Sequence, residues 1–89
     1  MDRTEFETAL KRDGYIDTVE NEMPAGESRA EHAHPFDVSA LVLAGAITLT
    51  CAGTKRTYGA GECFAMRAGT PHAEDVGPAG VRYLVGRRH

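Results

Sequence analysis

Ile47-Thr48-Leu49-Thr50-Cys51-Ala52-Gly53-Thr54-Lys55-Arg56-Thr57-Tyr58 decides the fold. Ile47, Leu49 and Cys51 alternate with Thr48 and Thr50, the two-residue rhythm of a strand with one buried face. Ala52-Gly53 marks a turn, and a second segment of strand composition closes the stretch at 56–58. Lys55 and Arg56 then sit on a solvated hairpin.

The same punctuation continues in both directions. Turn signals recur at Pro24-Ala25-Gly26, Ala44-Gly45, Gly59-Ala60-Gly61, Ala68-Gly69-Thr70-Pro71 and Gly77-Pro78-Ala79-Gly80. They delimit short segments at 15–23, 28–34, 38–43, 47–51, 56–58, 62–66, 71–76 and 81–85. Short strands with glycine-rich turns at this spacing predict an all-β sandwich or barrel. Phe64 and Met66 share a face with Glu62. Leu41-Val42-Leu43 is apolar on both sides, which suits a central strand or one covered by a helix or a partner subunit.

Only the first segment reads as a helix. Thr4 and Glu7 have capping-box spacing, acids precede the bases Lys11 and Arg12, Phe6 and Leu10 form a narrow apolar stripe, and Gly14 is placed to end it. A helix this short is marginal alone, so residues 1–14 are expected to pack on a barrel formed by 15–89, within a single domain.

Composition bounds the function. The chain has 89 residues and a net charge of −3, which argues against a nucleic-acid partner, since phosphate binding needs a clustered positive surface. Lys55-Arg56 and Arg87-Arg88 are too short to reverse that, and the second pair is expected at a solvated chain end. No apolar run approaches the roughly 20 residues of a membrane span, and Met1-Asp2-Arg3 does not lead into a signal-peptide core. The expectation is a soluble, cytoplasmic protein with no membrane partner. Cys51 and Cys63 are no disulfide framework and read as small buried hydrophobes.

Two histidine-bearing stretches remain. Residues two apart on a strand point to one face with Cα atoms about 6.5–7 Å apart, so His32 and His34 in His32-Ala33-His34-Pro35-Phe36-Asp37 can bend toward a common point. His72 occupies a similar strand-after-turn position. If the sheet closes so that these segments face each other, three imidazoles converge on a metal site.

These residues carry a resemblance to the small single-domain cupins. The first motif of that family is glycine, five residues, His-x-His, three or four residues, glutamate, six residues, glycine. Here Gly26 precedes His32-Ala33-His34, and Gly45 stands at the closing glycine. The second motif is glycine, five residues, proline, one residue, glycine, two residues, histidine. Here Gly61 opens it, Arg67 replaces the proline, and Gly69 and His72 complete it. The match spans residues 26–76. It implies a jelly-roll β-barrel carrying one short N-terminal α-helix, histidines projecting inward and, commonly, a homodimer; the edge strands left by so short a barrel also invite one.

The departures bear on chemistry. Counting back from Gly45 puts Val38 where the ligand glutamate of the family stands, or Ser39 in the longer spacing. Asp37 is one residue out of register, which on a strand means the opposite face, although Pro35 makes the local path irregular. Asp37 is therefore a fourth candidate ligand, with a turn or loop hydrogen bond as the alternative. Glu74, two residues after His72, should share its inward face and is a candidate proton carrier, with a salt bridge at the barrel mouth as the alternative.

His32, His34 and His72 alone satisfy the three ligands of a catalytic site with open positions. The arrangement resembles the all-histidine triads of some thiol dioxygenases of the superfamily. Imidazole suits several divalent transition metals, so iron, zinc, nickel, manganese or copper all fit. Neutral ligands leave the full charge on the ion, which favours a small anionic ligand or substrate. Two readings follow: a metal-dependent enzyme, dioxygenase-like or isomerase-like, or a non-catalytic binding or sensing module. The missing glutamate and the small size favour the second; the open coordination positions favour the first.

Overall fold

The computed structural model describes residues 1–89. Helix α1 (Arg3–Arg12) precedes six strands: β1 (Ile16–Met23), β2 (Ser28–His32), β3 (Asp37–Cys51), β4 (Thr54–Gly59), β5 (Cys63–Met66) and β6 (His72–Arg88). Every pairing is antiparallel.

Eight expected segments become six strands because Ala44-Gly45 and residues 77–80 bend the chain without ending it. The β3–β6 register jumps from Gly45↔Val81 to Ile47↔Val76, so residues 77–80 bulge opposite Ala46. Backbone meets backbone there. Gly45 has φ of +76°, and a Cβ on it would fall inside the carbonyl group of Gly80. Turn composition and bulge composition look alike in sequence, and long-range pairing decides between them.

Neighbours change across the bend. Residues 81–88 of β6 lie between β1 and the first half of β3, whose other edge pairs with β5. Residues 72–76 lie between β2 and the second half of β3, whose other edge pairs with β4. Two four-stranded layers result, joined by β3 and β6 running through both. This is the expected jelly roll.

Period-two alternation fills the space between the layers. Val38, Ala40 and Val42 point inward from one half of β3, Ile47 and Leu49 from the other, and they pack with Phe64, Val76, Val81 and Val85. Leu41 and Leu84 face outward and are covered by Phe6 and Leu10 of α1. That cover explains why Leu41-Val42-Leu43 is apolar on both sides: Val42 belongs to the core, Leu41 to the helix contact, and Leu43 packs at its margin. Burying Phe6 and Leu10 stabilises the docked helix by about 1.5–3 kcal/mol per side chain.

The ends of α1 depart slightly from expectation. Asp2, not Thr4, caps the helix, its Oδ1 accepting the Glu5 N–H at 2.8 Å. Asp2 and Glu5 have the same spacing as Thr4 and Glu7, so the cap forms two residues earlier. Gly14 does end the helix: Gly14 N–H donates to Lys11 O and Tyr15 N–H to Leu10 O, the paired bonds of a Schellman motif. The cysteine expectation needs correction. Cys51 is half-buried and Cys63 is exposed, because Cys63 pairs with outward-facing Leu41 and shares its side of the layer. No helix is long and apolar enough to cross a membrane.

Candidate metal centre

His32 and His72 are direct partners across β2 and β6, so the two distant stretches meet in register. His34 lies just beyond the end of β2, and its placement needs a second device. The turn 67–70 supplies it. Gly69, with φ of +80°, donates its N–H to the His34 carbonyl at 2.8 Å, and Ala68 N–H donates to Asp37 Oδ1 at 2.8 Å. The turn that delivers His72 therefore also holds the loop that carries His34.

The three rings converge. Their centroids are 4.3 Å apart for His32–His72, 5.1 Å for His32–His34 and 5.3 Å for His34–His72. One ligand nitrogen from each lies within 4.8 Å of the others. Nitrogens bound tetrahedrally to one ion at about 2.1 Å are about 3.4 Å apart, so each of the three would move by up to about 0.8 Å to close on a metal.

Hydrogen bonds fix what each ring presents. His72 Nδ1 lies 3.0 Å from the Thr70 carbonyl and His32 Nδ1 lies 2.8 Å from the Ala30 carbonyl. A carbonyl only accepts, so each Nδ1 carries the proton and each Nε2 presents a lone pair. His72 is 1% exposed, and its Nε2 is buried with no partner. A buried acceptor left unpaired costs about 1–3 kcal/mol; a cation in the cavity would satisfy it. Backbone carbonyls orienting ligand imidazoles are the outer-shell arrangement of histidine metal sites. Burial, reinforced by the neighbouring His72 and His32, pulls the His34 imidazole below its ordinary value, toward the neutral form a metal needs.

The two carboxylate candidates separate. Asp37 is drawn off and is not grouped with the three histidines: Oδ1 takes the Ala68 N–H, and Oδ2 pairs with Arg88 at 3.0 Å. These partners hold its carboxyl below the usual range, the backbone N–H most strongly. It makes the loop hydrogen bond instead, and so ties the His34 segment in place. Val38, at the position the resemblance gives to glutamate, does line the cavity, with an apolar side chain. Glu74 is buried beside the trio, Oε1 3.9 Å from His72 Nε2 and Oε2 4.0 Å from Arg29 Nε. Its Oε2 has no hydrogen-bond partner.

The cavity is small, about 110 Å³, below the roughly 300 Å³ at which sites for drug-sized ligands begin. Besides the trio and Glu74 it is lined by Arg29, Phe36, Tyr83 and Arg87 among others. Sequence reading missed Arg29 and Phe36; Arg87 is solvent-exposed near the chain end, as expected, and also lines the cavity. The signal for Arg87 was parity: it follows inward-facing Val85 by two. A larger groove, about 590 Å³, lies at the β3–β6 bend and contains no histidine. Tyr58 and Cys51 line a third, about 210 Å³ and mostly apolar, on the other side of Phe64 and Met66.

A family model described as a cupin domain matches residues 19–84. No match was found among curated proteins. Among solved structures the chain is similar to KdgF from Halomonas sp., at 22% identity with a TM-score of 0.68, covering 81% of this chain and 67% of that one. DMSP lyase DddQ from Ruegeria pomeroyi DSS-3 is 29% identical with a TM-score of 0.73, over 81% of this chain and 37% of that one. The polyketide cyclase RemF from Streptomyces resistomycificus is 27% identical with a TM-score of 0.73, over 84% and 55%. The chain thus spans about two thirds of the first and roughly a third to a half of the other two.

Proposed function

This chain belongs to the cupin-domain family, and from that premise we propose that it is a metal-dependent enzyme acting on a small anionic molecule by proton transfer. The carrying observation is the orphaned Nε2 of buried His72 facing His32 and His34. In this reading His32, His34 and His72 hold a divalent transition metal, which would supply Lewis-acid polarisation of a carbonyl or enol oxygen.

The chain's own groups do the rest. Thr70 and Ala30 carbonyls lock the tautomers of His72 and His32. Phe36, stacked on His34 at 5.1 Å, covers one ring face and keeps water from it. Glu74, within reach of the same space and with Oε2 beside Arg29 but free of hydrogen bonds, takes a proton from the substrate carbon and returns it to a neighbouring atom. An isomerisation needs no more than that. In an elimination the electrons of the broken C–H bond form the double bond, the leaving group departs with its bonding pair, and the Glu74 proton goes to that group. The lyase and cyclase at 29% and 27% identity bear names of such non-oxidative reactions. Glu74 is the observation that favours this over the dioxygenase-like alternative.

Elemental analysis of protein prepared without added metal tests the site: close to one ion per chain is expected, lost in His34→Ala. Deuterium exchange from D2O into small carbon acids tests the chemistry. Exchange is expected with the loaded protein and should fall at least about 100-fold in Glu74→Gln at unchanged metal content. A folded chain that binds small acids but exchanges nothing would instead be a binding module.

A further inference from the structure

We propose that Arg87 is the carboxylate-binding residue of this cavity, so that the ligand is a small carboxylic acid held between the guanidinium and the histidine cluster. This rests on the metal-site reading for the ligand's other end. The cations near the cavity differ in what holds them. Arg88, on the other face of β6, is committed to Asp37 and to the Asp13 carbonyl. Arg29 lies 3.7 Å from Glu27 and 4.0 Å from Glu74, so two carboxylates balance it. Arg87 lines the same cavity, yet has no ion-pair or hydrogen-bond partner.

Arg87 is nevertheless held. Its guanidinium carbon sits 4.8 Å from the centroid of the Phe36 ring, and that ring is stacked at 15° on His34. A guanidinium anchored on an aromatic face keeps its N–H edges free for a planar anion. The stack places this solvent-exposed, always-charged fork beside a cluster imidazole, with no protein anion on it. Carboxylate is the common biological anion that matches the fork with two parallel hydrogen bonds and also fits a cavity of about 110 Å³. Phosphate esters share the fork geometry but add bulk and a second charge.

The test is calorimetric titration of the full chain, zinc-loaded and metal-free in parallel, with pyruvate and malonate against pyruvamide and malonamide. The acids should bind at least tenfold more tightly than their amides. Arg87→Gln should lose that tenfold with unchanged zinc content, and Arg87→Lys should recover only part, because ammonium lacks the fork. Equal binding of pyruvate by Arg87→Gln and the parent chain, equal binding of acid and amide, or no binding of either acid would overturn the proposal. A chain that takes up no zinc but still loses pyruvate binding in Arg87→Gln would sink the metal reading and leave this one standing.

Discussion

Replacing His72 with leucine, of similar volume, separates a metal ligand from a core histidine by the sign of the stability change. Two local terms compete in metal-free protein. The substitution removes the bond from Nδ1–H to the Thr70 carbonyl at 3.0 Å, a neutral pair contributing about 0.5–1.5 kcal/mol. It also removes the buried, unpartnered Nε2, which costs the parent about 1–3 kcal/mol. The net change is centred on a gain of about 1 kcal/mol, between a loss of about 0.5 and a gain of about 2.5 kcal/mol. In a domain of 89 residues about 1 kcal/mol moves Tm by 4–8 °C, so metal-free His72→Leu should melt between about 4 °C below the parent and about 20 °C above it, with a rise of about 4–8 °C at the centre. Adding zinc at a hundredfold over its Kd stabilises the parent by about 2.7 kcal/mol, or roughly 11–22 °C, and should leave the variant unmoved. Differential scanning calorimetry with and without zinc reads all four states. A variant that melts far below the parent without metal, or that keeps the zinc shift, would show that His72 is an ordinary core residue and refute the reasoning.

Other consequences follow from particular residues. Gly45→Ala forces both a left-handed φ and a clash with the Gly80 carbonyl, so a loss of about 3 kcal/mol or more is expected in urea unfolding; a loss under about 1 kcal/mol would mean that the bend is soft. The pH dependence of metal-free stability should carry the mark of His34. Its pKa is lowered on folding, so the unfolded chain binds the extra proton. The contribution is therefore fully present above the unfolded value near 6.5 and is lost as pH falls through the lowered folded value. Melting temperatures from pH 8 to 5 should drop accordingly, and His34→Gln should flatten the curve; an unchanged slope would rule that origin out. Asp37, also lowered but from 3.8, acts only in more acid solution.

Strand identity was legible because it is local. Ile47, Leu49 and the intervening threonines need no knowledge of partners to declare a buried face, and both threonine-side and core-side assignments survive in the structure: Thr48 hydroxyl meets Thr57 hydroxyl outside at 2.7 Å while Ile47 and Leu49 are buried. The bends were not legible. Ala44-Gly45 has the composition of a turn, and only pairing with Arg82 and Val81, far along the chain, makes it a bulge. The histidine cluster was foreseen for a partly different reason than the one that forms it. His32 and His72 meet by strand pairing, but His34 has left the strand, and the Gly69 N–H bond to its carbonyl does what two-residue alternation was expected to do.

The position of the cavity's negative charge follows from the same alternation. Inward parity on β3 belongs to Val38, Ala40 and Val42, so Asp37 is turned outward to Arg88 and no carboxylate enters from that strand. Inward parity on β6 belongs to His72, Glu74 and Val76, all buried. Glu74 is thus the carboxylate beside the imidazoles, 3.9 Å from His72 and short of bonding distance. A carboxylate at the Val38 position would neutralise part of an ion's charge from within the ligand set. One at Glu74 stands beside the three imidazoles, with an oxygen free of hydrogen bonds, and so would leave the charge on a bound ion with a base next to it. That separation is what a proton-transfer site needs, and it is set by which of two adjacent residues on β3 faces in.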